Sequence, residues 1–251
     1  MAFTNSGLIT YKNITSNKTK NRNHAIDTIT IHCYVGQVTA KQGCDYFANT
    51  DREVSANYVV GFDGSIGLSV DEKDRAWTSS NAANDHRAVT IEVACDSYAP
   101  YKVTSKAYNA LINLVADICK RNKIKELKWK GDKSLVGQVS KQNMTVHRWF
   151  ASTACPGDYL YKKHSDIAKK VNKKLKKEPA FEEYRIQVIA DKLNIRKTPK
   201  FTKKDIVGAI TDKGVYTIVA EKKVSGIPMG KLKSGKGWVS LRSKYVRKLE
   251  G

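Results

Sequence analysis

Residues 147–157, HRWFASTACPG, place a histidine and a cysteine eight positions apart in a segment that ends in Pro-Gly. The imidazole of His147 and the thiolate of Cys155 are both donors that zinc accepts. A zinc site needs a further protein ligand, and His32 is the clearest candidate. It follows residues 28–31, where threonine and isoleucine alternate as in a half-buried strand. The pattern predicts that two segments far apart in sequence meet at one metal.

Each candidate ligand also has an ordinary structural explanation. A histidine after a strand is more often a hydrogen-bonded structural residue, and a cysteine before proline is more often a small buried apolar residue. The other histidines, His24, His86 and His164, fit surface or hydrogen-bonding roles. Spacing alone therefore leaves both the zinc interpretation and the structural interpretation open.

Three segments of the chain together resemble the zinc-dependent N-acetylmuramoyl-L-alanine amidases, a family that includes phage lysins and peptidoglycan recognition proteins. The segments are TIHC at 30–33, VTIEV at 89–93 and VHRWFASTACPG at 146–157. The last is the most specific, and the similarity extends over roughly residues 20–175. The resemblance implies that His32, His147 and Cys155 are the metal ligands.

Three protein ligands leave the fourth coordination position of zinc open to water, which is typical of a catalytic site. Zinc lowers the pKa of bound water toward neutrality and polarises a scissile carbonyl. The ligand set therefore predicts amide hydrolysis with Zn²⁺ as the cofactor.

The resemblance also implies two catalytic residues, Glu92 and Thr153. Glu92 interrupts an apolar strand, where a carboxylate is costly to bury without a partner, and it matches a glutamate that transfers protons in related lysins. A solvent-facing glutamate or a pair with Arg87 is the alternative. Thr153 stands where many members have a lysine that stabilises the oxyanion, and a neutral hydroxyl should do so less well. Ala56 stands where some members have an active-site tyrosine.

Three further residues are predicted to contact the substrate or support the reaction. Family members have a tryptophan-containing loop before the glutamate strand, so Trp77 is expected to border the groove, although a lone tryptophan equally suits a core. Without the lysine, either zinc and Glu92 supply more of the stabilisation, or Tyr58, Asn57 or a nearby arginine contributes. Asn57 stands where some members have a histidine.

Composition restricts the class of protein. The chain has 251 residues, of which 41% are hydrophobic, enough for a substantial core, and no apolar run reaches the length of a membrane span. The N-terminus lacks the pattern of a secretory signal. We therefore expect a protein kept in the cytoplasm of a host bacterium until it is released to the wall. Five cysteines at irregular spacing are expected to stay reduced, and Cys33 is expected in the core.

The formal net charge of +21 favours polyanionic partners. Nucleic acid, an anionic membrane surface and a bacterial wall with acidic polymers all qualify, and solubility alone is a further explanation. Residues 176–251 contain 19 Lys and Arg against 8 Asp and Glu, a net charge of 19 − 8 = +11, so the tail is the more basic part per residue. Charge by itself does not choose among these partners.

Strand and helix patterns alternate before the tail, which predicts an α/β domain over residues 1–175 with a mixed central sheet flanked by helices. Ser105 is expected to cap one of the helices. The predicted elements are strands at 27–32 and 87–94, a helix within 39–50, a hairpin around Asp63-Gly64, and helices at 105–121 and 158–177.

A charged run with a proline, residues 176–183, predicts a linker. Beyond it, residues 184–251 show strand patterns without a helix, which predicts a small all-β, barrel-like domain. This tail resembles the bacterial Src-homology-3-type domains that attach lysins and autolysins to cell walls. The segments that carry the resemblance are LNIRKTP at 193–199, VGAI at 207–210, GWVS at 237–240 and KYV at 244–246.

Together these features predict a phage-type endolysin. Its zinc amidase cuts between the lactyl group of N-acetylmuramic acid and the L-alanine of the stem peptide, its tail holds the wall, and a holin-made membrane lesion releases it. A recognition protein that binds peptidoglycan without cutting it is the alternative. A nucleic-acid-binding protein is suggested by charge only, and we expect no nucleic-acid partner and no stable membrane insertion. The oligomeric state is left open.

Overall fold

The computed structural model of the protein describes residues 3–176 and 181–249, so residues 177–180 of the predicted linker lie outside the described residues. The chain separates into two compact units, divided between residues 176 and 177. Among the described residues, no helix combines the length and the apolar composition that a membrane span requires.

The first unit is built on a six-stranded mixed sheet with the strand order β1-β5-β4-β7-β3-β8, and a two-stranded sheet, β2-β6, lies apart from it. Its elements, in chain order, are β1 (Tyr11–Lys12), β2 (Lys18–Thr19), β3 (Thr28–Val35), α1 (Ala40–Asn49), β4 (Tyr58–Val60), β5 (Ile66–Leu68), β6 (Arg75–Ala76), α2 (Ala82–Arg87), β7 (Ala88–Cys95), α3 (Ser105–Arg121), β8 (Met144–Thr145) and α4 (Gly157–Leu175).

The two long central strands, β3 and β7, pair in parallel over eight residues, and β3 also pairs in parallel with β8. The β4–β5 hairpin is antiparallel, so the predicted α/β class with a mixed sheet is confirmed. Alternate residues of a strand face opposite sides of the sheet. Ile31 and Ile91 therefore join the main core beside α3 and α4, while Val59 packs with residues of α1 on the other side.

Thr104, rather than the predicted Ser105, caps α3. The Thr104 hydroxyl accepts a hydrogen bond from the backbone N–H of Ala107 at 3.1 Å, and Ser105 is already the first helical residue. An N-cap side chain must precede the helix to reach its free N–H groups. The two neighbours are both hydroxyl residues, so the sequence pattern did not separate them.

The second unit contains a seven-stranded sheet with the order β11-β10-β14-β13-β12-β9-β15, in which every pairing is antiparallel. The predicted all-β class of the tail is thus confirmed. A separate small core of nine buried aliphatic residues supports this sheet. The strands are β9 (Tyr184–Val188), β10 (Leu193–Arg196), β11 (Ile206–Ile210), β12 (Val215–Val224), β13 (Ile227–Leu232), β14 (Trp238–Ser240) and β15 (Val246–Lys248).

A buried carboxylate, Glu72, joins several elements of the first unit. It is fully buried, and its oxygens accept hydrogen bonds from the Tyr58 hydroxyl at 2.6 Å and from the Arg121 guanidinium at 2.6 and 3.0 Å. The Tyr58 hydroxyl in turn accepts the backbone N–H of Ser6 at 2.9 Å. Each group in this network has a partner, which is the condition for burying polar atoms without a large cost.

We expect Tyr58→Phe to lower the free energy of unfolding by about 1–3 kcal/mol, because Glu72 and the Ser6 N–H both lose a buried partner. Chemical denaturation measures this change. Tyr98→Phe is the matched control, since the Tyr98 side chain is 71% exposed and should change stability very little. Equal stability of the two variants would contradict the role assigned to the Tyr58 hydroxyl.

Candidate functional site

Three potential metal ligands converge where β3 ends and the 147–157 segment begins. One ligand atom from each of His32, His147 and Cys155 lies within 4.8 Å of the others. The Cys155 Sγ is 3.4 Å from the Nδ1 of His32, and the centroids of the two imidazole rings are 5.1 Å apart. The fold thus brings together residues that are 115 and 123 positions apart in the chain.

The segment that carries His147 is fixed by a buried polar network. The Thr145 hydroxyl lies 2.7 Å from the Thr30 hydroxyl and donates to the Oδ1 of Asn84 at 2.9 Å. Asn84 donates to Thr30 in return, at 3.1 Å. Because β8 leads directly into a 3-10 helix at His147–Trp149, this network determines where the His147 ring emerges beside His32.

Arg148 fixes the loop that carries Cys155. Its backbone N–H and its Nε both donate to the carbonyl of Cys155, at 3.2 and 3.3 Å, and its Nη2 donates to the carbonyl of Ala154 at 2.5 Å. The guanidinium also lies over the ring of Tyr161, 4.8 Å from the centroid. At the next turn, Gly157 has φ +76° and no room for a Cβ, which would lie 2.8 Å from Tyr101.

The arrangement of donors fits zinc. The Nε2 of His32 is buried without a hydrogen-bond partner among the described residues, and burial lowers the pKa of both His32 and His147, so each imidazole is neutral as a ligand must be. The pKa of the Cys155 thiol is raised, chiefly by its hydrogen bond with Cys33 and by burial. A cation bound beside this thiol would lower its pKa and favour the thiolate.

Glu92 lies beside the three ligands because β3 and β7 pair in register, with His32 opposite Glu92. Its Oε1 is 3.9 Å from the Nδ1 of His32, and its Oε2 is buried without a hydrogen-bond partner among the described residues. Burial, with a smaller contribution from Cys33, raises the pKa of Glu92 to about 8. Arg87, the alternative partner, is paired with Asp27 instead.

A cleft of about 500 Å³ opens beside Glu92 and His147. One wall is aromatic, with Tyr34, Tyr46 and Phe47 packed edge to face at centroid distances near 6 Å. A larger cavity of about 740 Å³ lies beside Trp129, but none of the candidate ligands lines it. The smaller cleft is the candidate site, because Glu92 and His147 line it.

Trp77 is one of the residues that line this cleft. Its indole N–H donates to the Thr19 hydroxyl at 2.9 Å, and its backbone N–H donates to the Ser55 hydroxyl at 2.9 Å, so the ring is held in place. A fixed, partly exposed aromatic face suits stacking on a sugar or packing against a peptide.

Asn57 and Tyr58 do not reach the cleft. Both are fully buried. The amide of Asn57 bonds to backbone and side-chain groups, including the N–H of Thr90 at 3.1 Å, and the Tyr58 hydroxyl bonds to Glu72. β4 pairs with β7, which places Asn57 and Tyr58 inside the sheet rather than at its edge. The prediction that they contact substrate is not supported by their positions.

Thr153 lies in the loop before Cys155, is exposed, and is not among the residues that line the cleft. Its hydroxyl accepts the backbone N–H of Cys155 at 3.2 Å, so it helps to shape the ligand loop.

Cys33 differs from its expected core position in one respect. It packs against the main core, as expected, but it also lines the cleft.

Two residues near the candidate ligands or the cleft were not found from the sequence. The Ser80 hydroxyl lies 3.3 Å from the Nε2 of His147, and Ser80 has φ +58°, a backbone conformation that serine seldom adopts away from special sites. Asp85 holds this loop by accepting the backbone N–H groups of Thr78 and Ser79. Arg52 lines the cleft near Tyr46. No spacing pattern marks a left-handed serine or a lone surface arginine in advance.

Residues 22–158 match the family model of N-acetylmuramoyl-L-alanine amidase, which is more than half of the chain. A search among curated proteins found no significant match.

Several solved structures are similar to the chain. The structure of PlyL is 16% identical, with a TM-score of 0.48, and covers 64% of this chain and 95% of its own. The endolysin N-acetylmuramoyl-L-alanine amidase LysCS from Clostridium intestinale URNW is 16% identical, with a TM-score of 0.45. The match covers 65% of this chain and 95% of LysCS. Drosophila peptidoglycan recognition protein SA is 15% identical, with a TM-score of 0.44. The match covers 59% of this chain and 82% of the Drosophila protein.

The raised pKa of Glu92 predicts an unusual pH dependence in the metal-free chain. The carboxyl has a pKa of about 8 when folded and an ordinary value of 4.5 when unfolded, so the folded state binds the extra proton between those values. Its contribution to stability is therefore present below about pH 4.5 and is lost as the pH rises toward 8.

Thermal unfolding of the chelator-treated protein from pH 5 to pH 8 tests this pH dependence, with Glu92→Gln as the control. This pH range lies between the unfolded and folded pKa values of Glu92. Because glutamine does not titrate, the wild type should lose stability relative to the variant as the pH rises. A difference that is constant with pH would contradict a buried, protonated Glu92.

Proposed function

Since the chain belongs to the N-acetylmuramoyl-L-alanine amidase family, we propose that it hydrolyses peptidoglycan at the amide bond between N-acetylmuramic acid and the L-alanine of the stem peptide. The observation that carries the proposal is the convergence of His32, His147 and Cys155 beside the buried Glu92. Two neutral imidazoles, a thiol and a neighbouring carboxylate form the donor set and the proton carrier that amide hydrolysis requires.

His32, His147 and Cys155 would hold the zinc ion. When bound there, zinc supplies Lewis acidity, which activates water and polarises the scissile carbonyl. The three side chains are held by the β3–β7 register, by the Thr145 network and by Arg148, so little reorganisation accompanies binding. Ligands that are oriented before the metal binds favour both affinity and a defined open position.

Glu92 takes the proton of the attacking water and delivers it to the nitrogen of the leaving L-alanine. The water oxygen forms the new bond to the lactyl carbonyl carbon, the C–N bond breaks, and the amine leaves with the transferred proton. The Oε1 of Glu92 lies 3.9 Å from the Nδ1 of His32, next to the candidate ligands, where a group that acts first as a base and then as an acid must be.

The groups that stabilise the oxyanion differ from those that the family pattern implies. Thr153 is directed to the ligand loop, where it accepts the Cys155 N–H, and we propose that its main contribution is to that geometry. The Ser80 hydroxyl, 3.3 Å from His147, is better placed to donate toward the reacting carbonyl. This assignment rests on the position of Ser80 in its left-handed turn.

The basic second unit is proposed to hold the enzyme on the bacterial wall as a Src-homology-3-type domain. Its separate core and all-antiparallel sheet support an independent binding module. The endolysin amidase from Clostridium intestinale is among the structures that resemble the chain, and we propose that this protein is likewise a phage-type endolysin. Release to the wall through a holin-made lesion is part of that proposal.

Cys155→Ser should reduce both zinc content and amidase activity, because a serine hydroxyl is a much weaker zinc ligand than a thiolate. Zinc per chain and release of free N-terminal alanine from purified peptidoglycan measure the two quantities. Cys119→Ser is the matched control, since Cys119 is buried in the main core away from the ligands. Zinc and alanine release that are unchanged in Cys155→Ser would contradict the assignment.

Glu92→Gln should separate metal binding from catalysis. The glutamine is isosteric and leaves the three ligands in place, so zinc should stay close to one equivalent, while the turnover number should fall by about 10²–10⁴-fold with the loss of the proton carrier. Retained zinc with no alanine release even in the wild type would instead favour the second candidate, a recognition protein that binds peptidoglycan without cutting it. The absence of an ammonium group at Thr153 is the observation that favours that candidate.

A further inference from the structure

A groove of about 460 Å³ crosses the second unit, bordered by β10, by the end of β14 and by the loop that precedes β15. Three of its lining residues are cationic, Lys192, Arg196 and Arg242, and none of its lining residues is acidic. The other large lining side chains include Phe201 and Tyr245. The groove is therefore a cationic site with apolar walls, and none of the catalytic chemistry described above involves it.

Arg196 is held in position within this groove. Its Nη1 donates to the carbonyl of Thr202 at 2.9 Å, and its guanidinium lies 5.2 Å from the centroid of the Phe201 ring. Asp205, the acidic residue near this loop, accepts hydrogen bonds from Thr198 and Thr202. The guanidinium group of Arg196 is thus oriented by neutral groups, and its positive charge remains available to an anion.

The other two cations have no acidic side chain within salt-bridge distance among the described residues. Asp191, next to Lys192 in sequence, pairs with Lys213 instead. Three cations that line one groove repel one another, and a bound anion relieves that repulsion. This repulsion favours an anionic ligand over a neutral peptide.

The groove also contains a polar atom without a partner. Ser240, at the end of β14, is only 7% exposed, and its hydroxyl has no hydrogen-bond partner among the described residues. A buried hydroxyl that lacks a partner costs free energy, and such groups commonly mark a site completed by a ligand or a water.

We propose that this groove binds the phosphodiester groups of an anionic wall polymer of the teichoic-acid type. Arg196, Arg242 and Lys192 contact successive phosphates, and Phe201 and Tyr245 pack against the carbon backbone between them. The excess of 11 positive charges in residues 176–251 favours a chain of anions over a single carboxylate, because the charge continues beyond the groove. The inference names the ligand of the tail whose wall-binding role was proposed above.

The test is binding of purified poly(glycerol phosphate) to the full-length protein by isothermal titration calorimetry at low and high salt. The double variant Lys192→Gln with Arg242→Gln should weaken the Kd about tenfold or more and should flatten its salt dependence, since two phosphate contacts are lost. The matched control is Lys222→Gln with Lys223→Gln, which removes the same net charge from exposed positions on β12 outside the groove. It should change the Kd by less than about twofold.

Equal weakening by the two double variants would overturn the proposal, because it would show that the polymer responds to net charge and not to the groove. Absence of wild-type binding would also overturn it. An oligonucleotide of equal charge is the second arm, and groove-dependent binding of the oligonucleotide alone would reassign the site to nucleic acid. Binding is measured without hydrolysis, so a chain that proved to have no amidase activity would still pass or fail this test.

Discussion

The parallel pairing of β3 with β7 is the constraint on which the proposed site depends. In that register His32 and Glu92 are direct neighbours on one face of the sheet, and the alternation of the strands sends Ile31 and Ile91 into the core on the other face. A slip of one residue would turn the histidine and the carboxylate toward the main core and the isoleucines away from it. The apolar core therefore fixes the site, since register and burial cannot be changed separately.

The remaining ligands are attached to this frame by polar contacts that are themselves buried. Thr30, Thr145 and Asn84 join β3 to β8 immediately before His147, and Arg148 binds the carbonyls of the loop that ends at Cys155. The two candidate ligands of the stretch HRWFASTACPG are eight positions apart, and the residue next to the first, Arg148, holds the loop of the second.

Much of this could be predicted from the sequence, because periodicity reports burial directly. The alternating strands and the long helix Ser105–Arg121 follow from apolar spacing, whereas the convergence of His32, His147 and Cys155 was implied by the resemblance to the amidase family and not by spacing alone. Tyr58 and Asn57 could not be placed in this way. Their polarity indicated a site, whereas the fold uses that polarity to satisfy Glu72 and the backbone of Thr90 inside the core. Ser80 was missed because its importance depends on a left-handed backbone that no side-chain pattern reveals.

Charged and titratable side chains are placed differently in the two units of the protein. In the first, burial favours the neutral forms of His32 and Glu92, while in the second, three cations line a groove whose lining contains no acidic residue. High net charge alone could not distinguish these uses, since both units are basic. The distribution of the charge relative to burial makes the distinction, and it is the basis on which we propose chemistry for one unit and attachment for the other.

The most direct measurement of the central claim is the electronic spectrum of the metal-free protein titrated with Co²⁺, which replaces zinc and reports its own coordination. A site made of His32, His147 and Cys155 predicts saturation at one equivalent, with the intense visible bands of a tetrahedral ion and a thiolate-to-metal charge-transfer band. Weak octahedral bands without charge transfer, or no binding, would contradict it.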